Sequence, residues 1–233
     1  HFSQMVAKLA DGADESRAAE ALSRGLDFAR DETPLPGWMN GMCSYSLWWV
    51  LIHRDYYMYR GDLNYLKQQQ QYLSDLMKIL MSKVDAEGRE HLDGGGRFLD
   101  WPTSEDTLAV NAGLHALMLM TFEAGAEMLN ALGDKELAAQ CTATADRMKK
   151  VTPDYKTSKQ SAALIALAGI VPAETANKEV LEVGGAHGFS TFYGYYMLKA
   201  QALAGDYTDA IQNMKDYWGG MLDLGATTFW EDF

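Results

Sequence analysis

Cysteine is scarce in this sequence, and the two that occur, Cys43 and Cys141, fit no metal-binding spacing. Each sits among apolar neighbours, so both are expected to be small buried thiols. The five histidines, at 1, 53, 91, 115 and 187, include no pair at i, i+4 on one helix face, which removes a zinc signature. The stretch DGGGRFLD at 93–100 has acids and glycines but lacks the alternating ligands and closing Glu of a calcium loop. No metal and no organic cofactor is implied. Basic residues are also in short supply, 20 against 32 acidic ones, for a net charge of −12 and a pI near 4.8. A phosphate backbone or an anionic membrane surface would be repelled, so nucleic acid and membrane are excluded as partners. Long hydrophobic runs are missing too: stretches such as Ala162 to Val171 fall short of the roughly 18 to 20 residues a bilayer crossing needs. The N-terminus has no basic segment followed by an apolar run, so the chain reads as soluble and any export signal lies outside it.

What is present is a helical period. With 48% apolar and 22% charged residues, the 233-residue chain has the make-up of a folded protein with one sizeable core or two small ones. In SLWWVLIHRDYYMYRG, Leu47, Trp48, Leu51, Ile52, Tyr56 and Tyr59 recur at spacings of three and four and mark one broad apolar face. The same reading along the chain predicts helices over 14–30, 45–60, 62–82, 106–132, 134–151, 157–170, 173–183, 190–204 and 206–218, with no convincing strand. Met-rich stretches such as LMLMTFEAGAEML are expected to fill the core.

The connections are of two kinds. Arg60-Gly61-Asp62, Leu132-Gly133-Asp134 and Ala204-Gly205-Asp206 repeat one device, a glycine closing a helix in the left-handed conformation and an aspartate capping the next. Val171-Pro172 acts similarly, with Pro opening the following helix. Longer connections lie at 31–44, 83–105, 152–156, 184–189 and 219–231, so tight and long alternate. If consecutive helices run antiparallel, the long connections share one rim. That rim would collect Trp38, Asp100, Trp101, Glu105, Tyr155, His187, Phe189, Trp230 and Glu231. Rings and carboxylates of this kind suit a small polar ligand. The geometry expected is a shared opening in which Glu231 faces the Trp101 indole across a sugar-sized gap.

Sugar faces stack on indoles, sugar hydroxyls bond to Asp and His, and glycosidic cleavage needs two carboxyl groups flanking the bond. FLDWP and TTFWED each put a carboxylate beside a Trp, which suggests a glycoside site. Beyond chemistry, GGRFLDWP, then HGFSTFYGYYMLKAQALAGDYTDAI, then YWGGMLDLGATTFWEDF resemble the catalytic domain of the α-L-rhamnosidases of glycoside hydrolase family 78, from about Pro34 onward. The resemblance implies an all-α, incomplete (α/α)6 toroid of antiparallel helical hairpins, with residues 1–233 forming part of one such domain. It implies inverting hydrolysis of terminal α-L-rhamnosyl bonds in a glycan or glycoside, and it is compatible with a periplasmic or extracellular setting. By position, Glu231 matches the general base, and Asp100 and Trp101 match the loop lining the rhamnose pocket. Trp230 joins them as a substrate-binding residue, with Trp38 and His187 as further sugar contacts.

The sequence also departs from that pattern. The family's general acid lies in an upstream Arg-Asp-Glu-Arg…Trp-x-Gly-Asp motif that nothing in residues 1–36 matches. Nine helices, where the toroid has twelve, point to a piece of a larger protein, expected to be inactive and marginally stable alone. His187-Gly188-Phe189 stands where the family tends to have Thr-Gly-Phe. Spacing alone leaves two roles open for Asp100 and Trp101, starting a helix or holding a ligand, and the resemblance favours the ligand. Glu105 and Asp106 are expected to complement a helix dipole, Trp48 and Trp49 to pack, and His53 and His115 to carry no function. Two other readings remain: another (α/α)6 glycosidase acting on a different sugar, or a non-catalytic helical-hairpin scaffold or sugar-binding module.

Overall fold

Glycine and aspartate set the hairpin turns. In a computed structural model, which describes residues 15–233, Gly61, Gly133 and Gly205 have φ of +66°, +87° and +79°. The aspartate after each accepts the amide three residues on: Asp62 from Tyr65 at 2.9 Å, Asp134 from Leu137 at 3.1 Å and Asp206 from Asp209 at 3.2 Å. An L-side chain resists the left-handed conformation and a carboxylate satisfies an orphan helix amide, so the Gly-Asp pair ends one helix and begins the next.

The helices are α1 (Glu15–Asp31), α2 (Cys43–Arg60), α3 (Leu63–Ser82), α4 (Thr107–Leu132), α5 (Lys135–Met148), α6 (Lys159–Leu167), α7 (Ala173–Ala176), α8 (Thr191–Leu203), α9 (Tyr207–Met214) and α10 (Gly220–Asp223). The described residues contain no strand, only an isolated bridge between Met42 and Gly96. The protein is therefore all-α and built of helical hairpins. The expected helix start at residue 14 and the absence of an export signal both fall on the stretch before Glu15, outside the described residues. Two predicted helices differ in kind. That over 173–183 becomes α7 and a π turn, Asn177–Leu181, and that over 206–218 becomes α9 and a π turn, Lys215–Gly219. Apolar spacing of three and four does not distinguish these windings. Short 3-10 turns at Met39–Gly41 and Trp101–Thr103 lie in stretches read as loop. Among the described residues no helix is long and apolar enough to cross a membrane, and no three His, Cys, Asp or Glu side chains cluster to hold a metal ion.

The chain divides into two compact units. One comprises residues up to Val84, His91–Gly96 and Thr121–Thr144; the other comprises Asp85–Glu90, Arg97–Met120 and Ala145–Phe233. In the first, Leu47, Leu66, Leu73, Leu76, Met77, Leu80, Phe122 and Met128 are fully buried. Met77 lies against the bare backbone of Gly125, where an added Cβ would meet its sulfur at 2.9 Å. Trp49 is buried and gives its indole N–H to Leu26 O at 3.1 Å, a packing role. Cys43 and Cys141 are buried thiols, and burial pushes the Cys141 thiol up to about 12.

A polar cluster lies inside this unit. Buried Gln69 donates to Asp27 Oδ1 at 2.8 Å and accepts from Arg30 Nη1 at 2.6 Å, while Tyr65 Oη lies 3.1 Å from Ser23 O and 3.5 Å from His53 Nε2. Burial lowers the His53 pKa from 6.5 to about 4. A histidine held neutral in the fold takes up its proton first in the unfolded chain. Its contribution is therefore intact above 6.5 and lost as pH falls toward 4. Chemical denaturation at pH 7 and pH 4.5 should show about 2–3 kcal/mol more acid destabilisation in the wild type than in His53→Gln, which lacks the titrating ring.

In the second unit α6 packs along α8, with α7 and α9 also against α8. Every residue of α6 from Lys159 to Ala166 is buried, which makes it the central helix of this unit. Gly194 lets α8 approach Trp218 so closely that a Cβ there would stand 2.6 Å from the indole.

Candidate functional site

The FLDWP segment is fastened before it reaches its carboxylate. Arg97 grips both carboxylate oxygens of Glu90 and donates to Asn111 Oδ1 at 2.8 Å. Leu99 then lies on the bare backbone of Gly113, where an added Cβ would stand 2.3 Å from its methyl carbon. Gly113 thus lets α4 serve as the floor beneath this segment.

Asp100 follows, 8% exposed, and both of its oxygens are engaged. Oδ1 accepts the Trp101 amide at 3.0 Å; Oδ2 accepts from Gln160 Nε2 at 3.3 Å and from Ser190 Oγ. Thr103 Oγ1 returns a bond to Asp100 O at 2.9 Å, closing the 3-10 turn. The helix-start role that spacing left open is therefore realised through Oδ1, while Oδ2 ties this turn to α6 and to the start of α8. Burial pushes the Asp100 carboxyl up, the bonds from Ser190, Gln160 and the Trp101 amide pull it down, and the charge of Asp232 adds to the burial effect.

Trp101 turns outward at 62% exposed, with its ring set edge-on against Phe98 at 5.0 Å between centroids. Its indole N–H donates to Glu231 Oε1 at 3.0 Å. The two aromatic–acidic segments, 130 residues apart, thus meet directly. The expected sugar-sized gap between them is replaced by contact, a hydrogen bond to a charged acceptor whose net gain over hydration is small, so a ligand can displace it.

The segment carrying Glu231 is clasped at several points. Thr191 Oγ1 donates to Trp230 O, and Tyr217 Oη donates to Asp232 Oδ1 at 3.1 Å. Phe233 covers the backbone of Gly220, where a Cβ would stand 2.6 Å from its ring, and lies 6.0 Å from Trp230. Burial, ahead of the Asp232 carboxylate, pushes the Tyr217 phenol up to about 12. Trp230 itself is 37% exposed.

The remaining rim residues divide. His187 is exposed, on a backbone turned by its amide bond to Gly184 O at 3.2 Å. Phe189 is buried, as is Tyr155, whose hydroxyl donates to Glu179 at 2.6 Å; burial, then that carboxylate, pushes the phenol up to about 12. Asp106, as read from sequence, starts α4, accepting the Ala109 amide at 3.0 Å. Trp38 belongs to the other unit, is 7% exposed, gives its N–H to Asp93 O at 2.7 Å and packs on Gly95. Its ring holds its own loop together and has no open face, so a sugar platform there would require that loop to unpack.

Three residues of this site were not singled out from sequence: Gln160, Ser190 and Thr191. Ser190 stands at the N-cap of α8 but makes no side-chain cap bond there, its hydroxyl going to Asp100 instead. A Ser-Thr pair at a helix start reads as capping, so nothing local marked it. Gln160 lies on a helix buried all round, and a polar residue amid KQSAALIAL was the available signal.

No protein-family model matches the sequence, and no curated protein matches it. Six solved chains match in structure. A rhamnosidase from Klebsiella oxytoca with rhamnose bound matches with a TM-score of 0.68 and 21% identity, over 82% of this chain and 40% of its own. A glycoside hydrolase family 78 rhamnosidase of Bacillus sp. GL1 matches with a TM-score of 0.76 and 19% identity, over 92% of this chain and 26% of its own. The chain spans less than half the length of either protein, and at these identities the likeness is one of fold: the helical hairpins of this chain are folded as in those two rhamnosidases.

Proposed function

We propose that this chain is part of the (α/α)6 catalytic domain of an inverting α-L-rhamnosidase, with Glu231 as general base. The observation that carries the reading is the meeting of Trp101 and Glu231, an exposed indole face beside a carboxylate, with the buried Asp100 holding the Trp101 backbone amide. An apolar sugar face stacks on the indole, and a sugar hydroxyl or the attacking water takes over the carboxylate now held by the indole N–H. Glu231 then accepts a proton from the water as its oxygen bonds to the anomeric carbon, while the glycosidic bond breaks and the departing oxygen takes a proton from a second carboxyl group. Trp230 borders the same segment, and the exposed His187 offers a hydroxyl contact. Trp38 is assigned to its loop. The second carboxyl group comes from outside this chain, at the roughly 6.5–9.5 Å separation that leaves room for a water in inverting enzymes. The fold shared with two rhamnosidases supports the sugar class, and the paired ring and acid distinguish the reading from a bare scaffold.

Titration with L-rhamnose, followed by tryptophan fluorescence, tests this. The wild type should give a saturable change that Trp101→Ala abolishes with unchanged circular dichroism, since that ring is exposed and packs into no core. A folded protein that gives no response refutes a rhamnose site and leaves the scaffold reading.

A further inference from the structure

Lys159 and Gln160 sit side by side in the first turn of α6, both buried, and their polar ends converge on one stretch of chain. Lys159 Nζ donates to Leu181 O at 2.9 Å and to Gly185 O, and lies 5.4 Å from the centre of the Phe189 ring. Gln160 Nε2 lies 3.3 Å from Gly188 O and 3.3 Å from Asp100 Oδ2. The strap they touch, Gly184–Gly188, contains three glycines at φ +74°, +59° and +85°, and its own bonds are single turns such as Gly185 N to Glu182 O at 3.3 Å. Such a glycine-rich backbone gains much conformational freedom when released, so an ordered strap needs donors fixed elsewhere.

Lys159 supplies them under unusual terms. Among the described residues no carboxylate pairs with it, and burial alone lowers its pKa to about 8. An ammonium desolvated without a counter-ion is unfavourable unless its protons are met, and here they are met by backbone carbonyls and an aromatic face.

We propose that Lys159 is a positioning residue: anchored at Leu181 O, its ammonium holds the glycine strap through Gly185 O, so that Gly188 O and the Asp100 carboxylate share the Gln160 amide. Strap, α6 and the FLDWP turn are thereby locked as one body. The consequence for ligand affinity rests on the sugar reading above; the locking does not.

Hydrogen–deuterium exchange on the wild type, Lys159→Met and Lys159→Arg separates the two. In the wild type the strap amides should be protected like those of α8 from Gly194 onward, where the helix bonds begin, and strap amides exchanging as open loop would refute the proposal. Lys159→Met should speed strap exchange at least about tenfold while the amides of α6 keep their protection, and Lys159→Arg, which retains charge and donors, should restore it. Unchanged strap exchange in Lys159→Met, or acceleration spread evenly over α6 and α8, overturns the assignment. Rhamnose affinity should weaken in Lys159→Met and recover in Lys159→Arg. A wild type with a protected strap but no rhamnose binding would overturn the sugar reading and leave the locking role standing.

Discussion

Glu231→Gln, in the protein that carries this chain in full, should lower turnover of an aryl α-L-rhamnoside at least about a hundredfold, as expected for loss of a general base. The amide oxygen of Gln can still accept the Trp101 N–H, so the geometry at 3.0 Å survives. What disappears is the ability to take a proton from water. Because Glu231 is exposed and its neighbours are clasped independently through Thr191 and Tyr217, the fold should not change. KM should move little, since the sugar is held mainly by the exposed Trp101 ring in this reading, with Asp100 fixing the turn that carries it. Near-normal turnover with an unchanged circular dichroism spectrum would remove Glu231 from the chemistry.

Gly88→Ala should be the most damaging of the alanine substitutions at turn glycines. Its φ of +87° is shared with Gly133, so the conformational term is the same at both sites, about 1–2 kcal/mol for a side chain forced left-handed. The surroundings differ. A Cβ on Gly133 meets nothing within 4 Å, whereas one on Gly88 would stand 2.4 Å from Arg147 O and 2.7 Å from its carbonyl carbon. Backbone cannot rotate aside as a side chain does, so either the 85–89 turn or the end of α5 must move. That turn is closed by Asp85 N to Arg89 O at 3.0 Å and by Arg89 N to Asp85 Oδ1 at 2.7 Å, and it leads through Glu90 to Arg97 and the FLDWP segment. Gly88→Ala is expected to cost about 3–4 kcal/mol in all and to lower Tm by roughly 10 °C, against a few degrees for Gly133→Ala. Equal losses in the two variants, read by thermal denaturation under the same conditions, would show that the close approach carries no weight.

Much of the fold was legible because its determinants are local. Gly61, Gly133 and Gly205 end helices through their own φ, and the aspartates that follow act on amides three residues away. Such devices operate within one turn of chain and leave a mark in the residue order. The aromatic–acidic loops were legible for a related reason: Asp100-Trp101 and Trp230-Glu231 are adjacent pairs. The π turns were not, since three-four spacing fits either winding. Ser190 and Gln160 were missed because their partner, Asp100, lies 90 and 60 residues away, and their local setting suggested a cap and a core helix. Trp38 shows the converse. A loop indole reads as available, and only its bond to Asp93 and its packing on Gly95 reveal that its ring is already occupied within the loop.

Residue order alone therefore determined the helical class, the hairpin turns and the two segments where rings and carboxylates adjoin, since periodicity, backbone freedom and capping act over a few residues. Tertiary structure decided which of those groups stay open and which are used up: Asp100 satisfied by α6 and α8, Lys159 buried against carbonyls, Trp101 touching Glu231. Those outcomes depend on distances between residues far apart in the chain, which close packing sets and local chemistry does not encode.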